Sequence, residues 1–173
     1  VEINLREDTN IRGISPYIET EALIKSKSAV AGVLVNGVIA SKDKSVSVIH
    51  EFMQTGNFEK IQTSNNIVLG RLLARKLNVD VGDKISLMLP DTSSSFAGYF
   101  PKSKVFNISG IFNIGSKDID ETLAYISLEN ASILTGLKNQ VHGFRLKFDD
   151  LFEAPYLVWQ SLKYAEKNSN VLL

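Results

Sequence analysis

Few side chains in this sequence stand at spacings that serve chemistry, and each set has a plainer alternative. His50 precedes Glu51, and an imidazole beside a carboxylate is half of an acid/base or metal site. The surrounding residues 45–53, however, place Val46, Ile49, Phe52 and Met53 at the spacing of a short amphipathic helix. A lone histidine there is expected at the surface or the edge of the core. His142, the other histidine, is far away in sequence. Asp118, Asp120 and Glu121 could gather around a hard cation, but a calcium loop alternates its oxygen ligands over a longer stretch, so a solvated turn is expected. Asp80 and Asp83 beside Gly82 read the same way. Gly70, just before a helical stretch, would admit an anion at a helix N-terminus, although one glycine serves strand–helix packing equally well. There is no Gly-x-Ser-x-Gly elbow, no phosphate-cradling glycine-rich loop and no His-Glu-x-x-His helix. Cysteine is absent, which removes thiol nucleophiles, zinc-thiolate sites and disulfides. The expectation is a chain with no catalytic residue, no metal and no cofactor.

The composition bounds the partners. With 173 residues, 44% of them hydrophobic, the chain is long and apolar enough to bury a sizeable core. Nineteen basic and nineteen acidic residues cancel, so nothing draws it to phosphate backbones, and nucleic acid is not an expected partner. No apolar run approaches the roughly 20 residues that cross a bilayer, and no basic-then-apolar signal segment opens the sequence. The start at Val1 rather than Met fits a soluble piece excised from something longer.

The elements alternate between strands and short helices. Residues 14–20 and 30–39 read as strands, with room for a turn of helix at 21–28. The second is nearly continuous in apolar residues and is expected to be central in its sheet, with Gly32 and Gly37 marking close approach or a bulge. The helical stretch at 45–53 ends at Thr55-Gly56-Asn57, and 58–66 is a polar connection. Then come a short buried strand at 67–70 and a helix whose core stripe is Leu72, Leu73 and Leu77, closed by 78–82. Ile85, Leu87 and Leu89 alternate along the next strand, and Phe106, Ile108, Phe112 and Ile114 share one parity on its return. Further strands fall at 122–128 and 142–148, around a short helix at 129–134 closed by Gly136. A last helix follows Asp149 and Asp150, with Pro155 in its first turns and Val158, Leu162 and Ala165 on one face. The whole is a mixed α/β or α+β chain.

The connection between the strands at 84–89 and 102–114 carries Phe96-Ala97-Gly98-Tyr99-Phe100-Pro101. Hairpin loops usually run about two to five residues, so a longer one rich in aromatics invites a role in binding, unless the aromatics fold back on their own strands.

The run Ile67-Val68-Leu69-Gly70-Arg71-Leu72-Leu73-Ala74, continued by Leu77, Val81 and Gly82-Asp83, resembles the core pattern of the extracytoplasmic domain of macrolide-exporter-like ABC permeases. Three further stretches resemble the lipoprotein-releasing permeases LolC and LolE: Ile14-Ser15-Pro16-Tyr17-Ile18-Glu19, the return strand from Lys104 through Ile108-Ser109-Gly110-Ile111 to Gly115, and Gly143-Phe144-Arg145-Leu146-Lys147-Phe148 with its continuation to Pro155. The resemblance covers almost the whole chain.

It implies an α+β periplasmic domain of an inner-membrane permease, held between two transmembrane helices, with both termini on the membrane side. It also implies a porter-like α/β subdomain built from 1–56 and 122–173, with a strand-rich subdomain, 57–121, inserted and carrying a long projecting hairpin. The implied role is docking and motion coupling without a reaction of its own. The implied partners are the periplasmic lipoprotein carrier LolA, a sister permease subunit, the cytoplasmic ATPase subunit LolD through the full-length protein, and the lipoprotein substrate. In LolC the hairpin is a hook that engages the carrier; carried over, its partner-binding residues are Phe96, Ala97, Gly98, Tyr99, Phe100, Pro101, Lys102 and Lys104. Where the LolC tip has Pro-Met-Gly, this chain has Phe96-Ala97-Gly98, and the basic or amide platform positions fall on Ser86, Ser103 and Lys104. LolE, or a single permease acting as a homodimer, fits as well. Two other readings stand beside it: a small enzyme built on His50, and a macrolide-exporter or cell-division relative whose partner is an adaptor protein or a cell-wall hydrolase.

Overall fold

Strand β1 (Ile11–Lys25) is long enough to serve three neighbours, and the fold follows from how it shares its edges. In this computed structural model the described residues are 11–90, 102–138, 140–149 and 158–159. From Tyr17 onward one edge of β1 pairs antiparallel with β2 (Val30–Val38). The other edge pairs first with β8 (Gly143–Phe148), in the register Ile11↔Phe148 to Tyr17↔Gly143, and then with β5 (Lys84–Leu89) from Leu23 onward. β2 continues to β7 (Leu123–Ser127), β7 to β4 (Asn66–Gly70), β4 to β6 (Lys102–Phe112), and β6 back to β5. Pairing therefore closes on itself as a ring of six strands, β1-β2-β7-β4-β6-β5. β2–β7 and β4–β6 are parallel and the remaining ladders antiparallel. A short β3 (Met53–Gly56) adds to β6, and β8 pairs among the described residues with β1 alone.

Two buried clusters use the two faces of these strands. Ile18, Ala22, Ile24, Val33, Val35, Ile67, Leu69, Ile85, Leu87, Phe106, Ile108 and Ile126 pack with Leu73 and Leu77 of α2 (Arg71–Leu77) and with Ala131 and Leu134 of α4 (Leu128–Thr135). Val68, Phe112 and Tyr125 point the other way, onto Val38, Ile49, Phe58 and Ile61, where Tyr125 meets Phe58 and Phe112 edge to face. The short helices α1 (Ala40–Asp43) and α3 (Lys117–Thr122) complete the described elements.

β2 is central as expected, and Gly37 is required, since a Cβ there would meet that of Ala131 at 2.1 Å. Gly32 has open space around it instead of the expected close approach. Asn78 in the left-handed region (φ 52°) closes α2, and Gly136 (φ 79°) closes α4. Leu73 and Leu77 are fully buried, while Leu72 is only half-buried.

Four expectations need correction. Residues 21–25 stay extended because both edges find partners; the chain turns only at Ser26, whose N–H donates to Ala29 O at 2.9 Å. The helix expected over 45–53 is replaced by a turn, a 3₁₀ turn at Ile49–Phe52 and the start of β3, because Met53 pairs with Phe112 of β6 and tertiary pairing overrides a short local period. The polar connection at 58–66 instead contains a 3₁₀ turn, Phe58–Gln62, that buries Phe58 and Ile61. Phe112 does not share a face with Phe106 and Ile108: the register slips by one between Ile67↔Ile108 and Val68↔Gly110, which flips every residue beyond it. Of the last helix only Val158 and Trp159 are described, both helical and exposed.

Candidate functional site

The foot of the hairpin is defined by the ladder between β5 and β6, which runs from Lys84↔Asn107 to Leu89↔Lys102. The two ends of the connection are thus held side by side. Phe96, Ala97, Gly98, Tyr99, Phe100 and Pro101 lie outside the described residues. Directly opposed residues project from the same face of a sheet, so the pairs Ile85↔Phe106, Leu87↔Lys104 and Leu89↔Lys102 face the core side. Ser86↔Val105 and Met88↔Ser103 face outward.

That parity separates the two kinds of residue expected at the site. Ser86 and Ser103 sit on the outer face, where Leu23, Val30 and Val105 are 47%, 54% and 55% exposed and where Lys25 stands in the row between Val30 and Ser86. Gly32 opposes Leu23 and adds no side chain, and a hollow of about 580 Å³ lies over it, bordered by Leu34 and Pro90. Lys104 goes the other way. It is half-buried, its Nζ donates to Asn130 Oδ1 of α4 at 2.6 Å, and it stands 6.0 Å from the centre of the Phe106 ring. Asn130 in turn donates to Ser64 O at 3.2 Å and receives a cap from Ser127 Oγ at its backbone N–H. Lys102 is exposed, and its ammonium reaches the Gly136 turn at the other end of α4.

The other residues singled out above are placed individually. Where a solvated turn was expected, Asp118, Asp120 and Glu121 lie in the helix α3, and Asp120 is buried and accepts from the N–H groups of Ile114 and Gly115 at 2.9 and 3.0 Å. Glu121 pairs with Lys76 at 2.9 Å, which lowers its pKa, and Asp80 and Asp83 cap their own loop. Gly70 is needed because a Cβ would meet Asp120 O at 2.3 Å. Among the described residues no three His, Asp or Glu side chains could hold a metal.

Sequence reasoning missed a cluster at the root of the β1–β8 pair. Asp43, at the end of α1, is 1% exposed, and its Oδ1 has no hydrogen-bond partner among the described residues. Arg145 Nη1 of β8 lies 3.5 Å from it. Arg145 Nη2 donates to Asn36 Oδ1 of β2, lies 3.7 Å from Glu19 Oε2, and the guanidinium stacks 4.7 Å from the centre of the Tyr17 ring. Burial raises the Asp43 pKa against the opposing pull of Arg145, and burial pushes Tyr125 up to about 12. His50 Nδ1 is buried and also has no hydrogen-bond partner among the described residues. Nothing local announces the cluster, because its members come from four elements spread across the chain.

No family model matches the chain. Among curated proteins it is 32% identical over 148 residues to the lipoprotein-releasing system transmembrane protein LolC of Xylella fastidiosa, covering 85% of this chain and 35% of that protein. LolC of Neisseria meningitidis serogroup B is 30% identical over 169 residues (95% and 41%), and LolE of Haemophilus influenzae is 30% identical over 155 residues (89% and 37%). The chain spans little more than a third of the length of these relatives. Among solved structures, the extracellular domain of the noncanonic ABC-type transporter YknZ from Gram-positive bacteria superposes with a TM-score of 0.67 at 9% identity, covering 96% of this chain and 80% of that one. The periplasmic region of MacB from Actinobacillus actinomycetemcomitans gives 0.61, also at 9% identity, over 95% and 71%.

Proposed function

This chain is a relative of the lipoprotein-releasing permeases LolC and LolE with the α+β fold of MacB-type periplasmic domains, and from that kinship we propose that it is the periplasmic domain of such a permease, serving to dock a lipoprotein carrier and to pass on motion. The observation that carries the docking role is the outward face at the hairpin foot. Leu23, Val30 and Val105 leave apolar surface in water beside a long connection whose ends are clamped at Leu89↔Lys102. Phe96, Tyr99 and Phe100 supply anchors that gain roughly 1.5 to 3 kcal/mol each when buried against a partner, and Ala97, Gly98 and Pro101 belong to the same proposed binding set. Lys102 offers a positive charge to the carrier. Lys104, held by Asn130 in the free chain, braces the return strand from beneath.

The carrier in this reading is LolA, and the lipoprotein passes to it from the membrane. The domain itself performs no reaction; ATP is hydrolysed by a separate cytoplasmic LolD subunit, and a sister permease subunit completes the assembly. The division into a porter-like part, 1–56 with 122–173, and an inserted part, 57–121, belongs to the same proposal, as does placement at the periplasmic side of the inner membrane. The pairing Ile11↔Phe148 supports attachment through two neighbouring membrane helices, since it sets the start of β1 beside the end of β8.

Calorimetry with the cognate LolA tests the reading. Phe96→Asp and Phe100→Asp should abolish binding while leaving the thermal midpoint nearly unchanged. Undiminished binding would remove the hook role and point to a LolE-like subunit. A large fall in the midpoint would show the aromatics to be core.

A further inference from the structure

Before Tyr17, β1 has no ladder partner except β8, and β8 has none except β1 among the described residues. The 11–17 part of β1 and β8 therefore form a two-stranded ribbon continuing from the six-strand ring; Gly13 to Pro16 on its β1 side are buried, and Gly13 lies so close to Ser45, just after α1, that a Cβ would meet Ser45 O at 2.4 Å. Its apolar support is small: Ile14 with Ile11, Phe144 and Leu146, separate from the two main clusters. A two-stranded ribbon is marginal alone in water, so something must tie it to the ring.

Arg145 does so at the root. From β8 its guanidinium donates to Asn36 of β2, pairs with Glu19 of β1, approaches the buried Asp43 at the end of α1, and covers the Tyr17 ring. One planar cation thus joins the ribbon to three elements of the ring and its flank, with a geometry that a flexible ammonium would not reproduce. The far end of this ribbon is the pair Ile11↔Phe148, the start of β1 beside the end of β8.

We infer that Arg145 is a positioning residue for motion coupling: it clamps the β1–β8 ribbon to the ring, so that displacement entering at Ile11 and Phe148 moves the docking face with it. The inference rests on the proposed function for its purpose and on the ribbon geometry for its substance.

Two measurements test it. By amide hydrogen exchange on this chain, Arg145→Met should speed exchange in 11–17 and 143–148 by roughly tenfold while β4, β6 and β7 keep wild-type protection. In the full permease, reconstituted in vesicles with its ATPase subunit, a lipoprotein and LolA, the same variant should hydrolyse ATP but release severalfold less lipoprotein per ATP. Arg145→Lys, which keeps the charge and loses the fork, should fall between in both. Unchanged ribbon exchange would overturn the clamp. So would a loosened ribbon with unchanged release per ATP, or exchange that rises throughout the ring. A wild-type permease that hydrolyses ATP and releases no lipoprotein would overturn the proposed function, and the clamp would then be judged by the exchange data alone.

Discussion

Ile11 of β1 lies directly opposite Phe148 of β8, and their neighbours Arg12 and Asp149 form an ion pair, so residues far apart in sequence end up across a single ladder. Opposed positions on antiparallel strands have Cα atoms about 4.5 to 5.5 Å apart, within the range a disulfide spans. The chain has no cysteine of its own, so Ile11→Cys with Phe148→Cys introduces a single possible bridge. It should form under mild oxidation and raise the thermal midpoint. Failure to cross-link, read by gel mobility with and without reductant, would disprove the ribbon register.

Leu73 is fully buried in the larger cluster between α2 and the sheet, whereas Leu72 beside it is half-buried. Leu73→Ala should therefore cost about 2 to 5 kcal/mol in denaturant titration and Leu72→Ala clearly less. Equal losses would mean that the helix presents a different face.

What could be read from the sequence was what short-range pattern records. The alternation of Ile85, Leu87 and Leu89 and the leucine stripe ending at Asn78 appear in the structure because burial on one face selects side chains at a fixed period. The parity of Phe112 was lost at the slip near Gly110, where β3 crowds in: a Cβ at Gly56 would meet Ser109 O at 2.1 Å. The run at 45–53 was misread because the partner of Met53 is Phe112, and no local period encodes a partner so distant. Arg145 and Asp43 were invisible for the same reason, since each alone is an ordinary surface-type charge.

Asp43 gives a pH dependence whose sign follows from its burial. Desolvation raises its folded-state pKa above the ordinary value of 3.8, against lowering influences from Arg145 of β8, Ser47 and His50; Tyr125 of β7 and Glu19 of β1 complete the ionisable surroundings. A carboxyl with a raised folded pKa favours the folded state fully below its unfolded pKa, and that contribution is lost as pH rises through the folded value. Wild-type stability relative to Asp43→Asn should thus decline as pH rises above about 4. Parallel urea titrations across that range check it; a difference that grows in the opposite direction would mean that the Arg145 pairing outweighs burial.

The two faces of the hairpin foot make separable contributions if the docking proposal holds. Val105 and Leu23 are exposed and face outward, so Val105→Asp or Leu23→Asp should change stability by no more than about 0.5 kcal/mol. Placed in an apolar contact, either carboxylate would be desolvated without a partner, and LolA binding should fall steeply. Lys104 faces the core side and is engaged by Asn130, whose amide is buried and would lose the donor at its Oδ1. Lys104→Met should therefore cost about 1 kcal/mol of stability and leave LolA affinity within a few fold of wild type. Calorimetric titration of the three variants beside thermal unfolding separates the cases. If Lys104→Met abolishes binding at unchanged stability, its ammonium leaves Asn130 to meet the carrier, and the bracing role assigned to it is wrong.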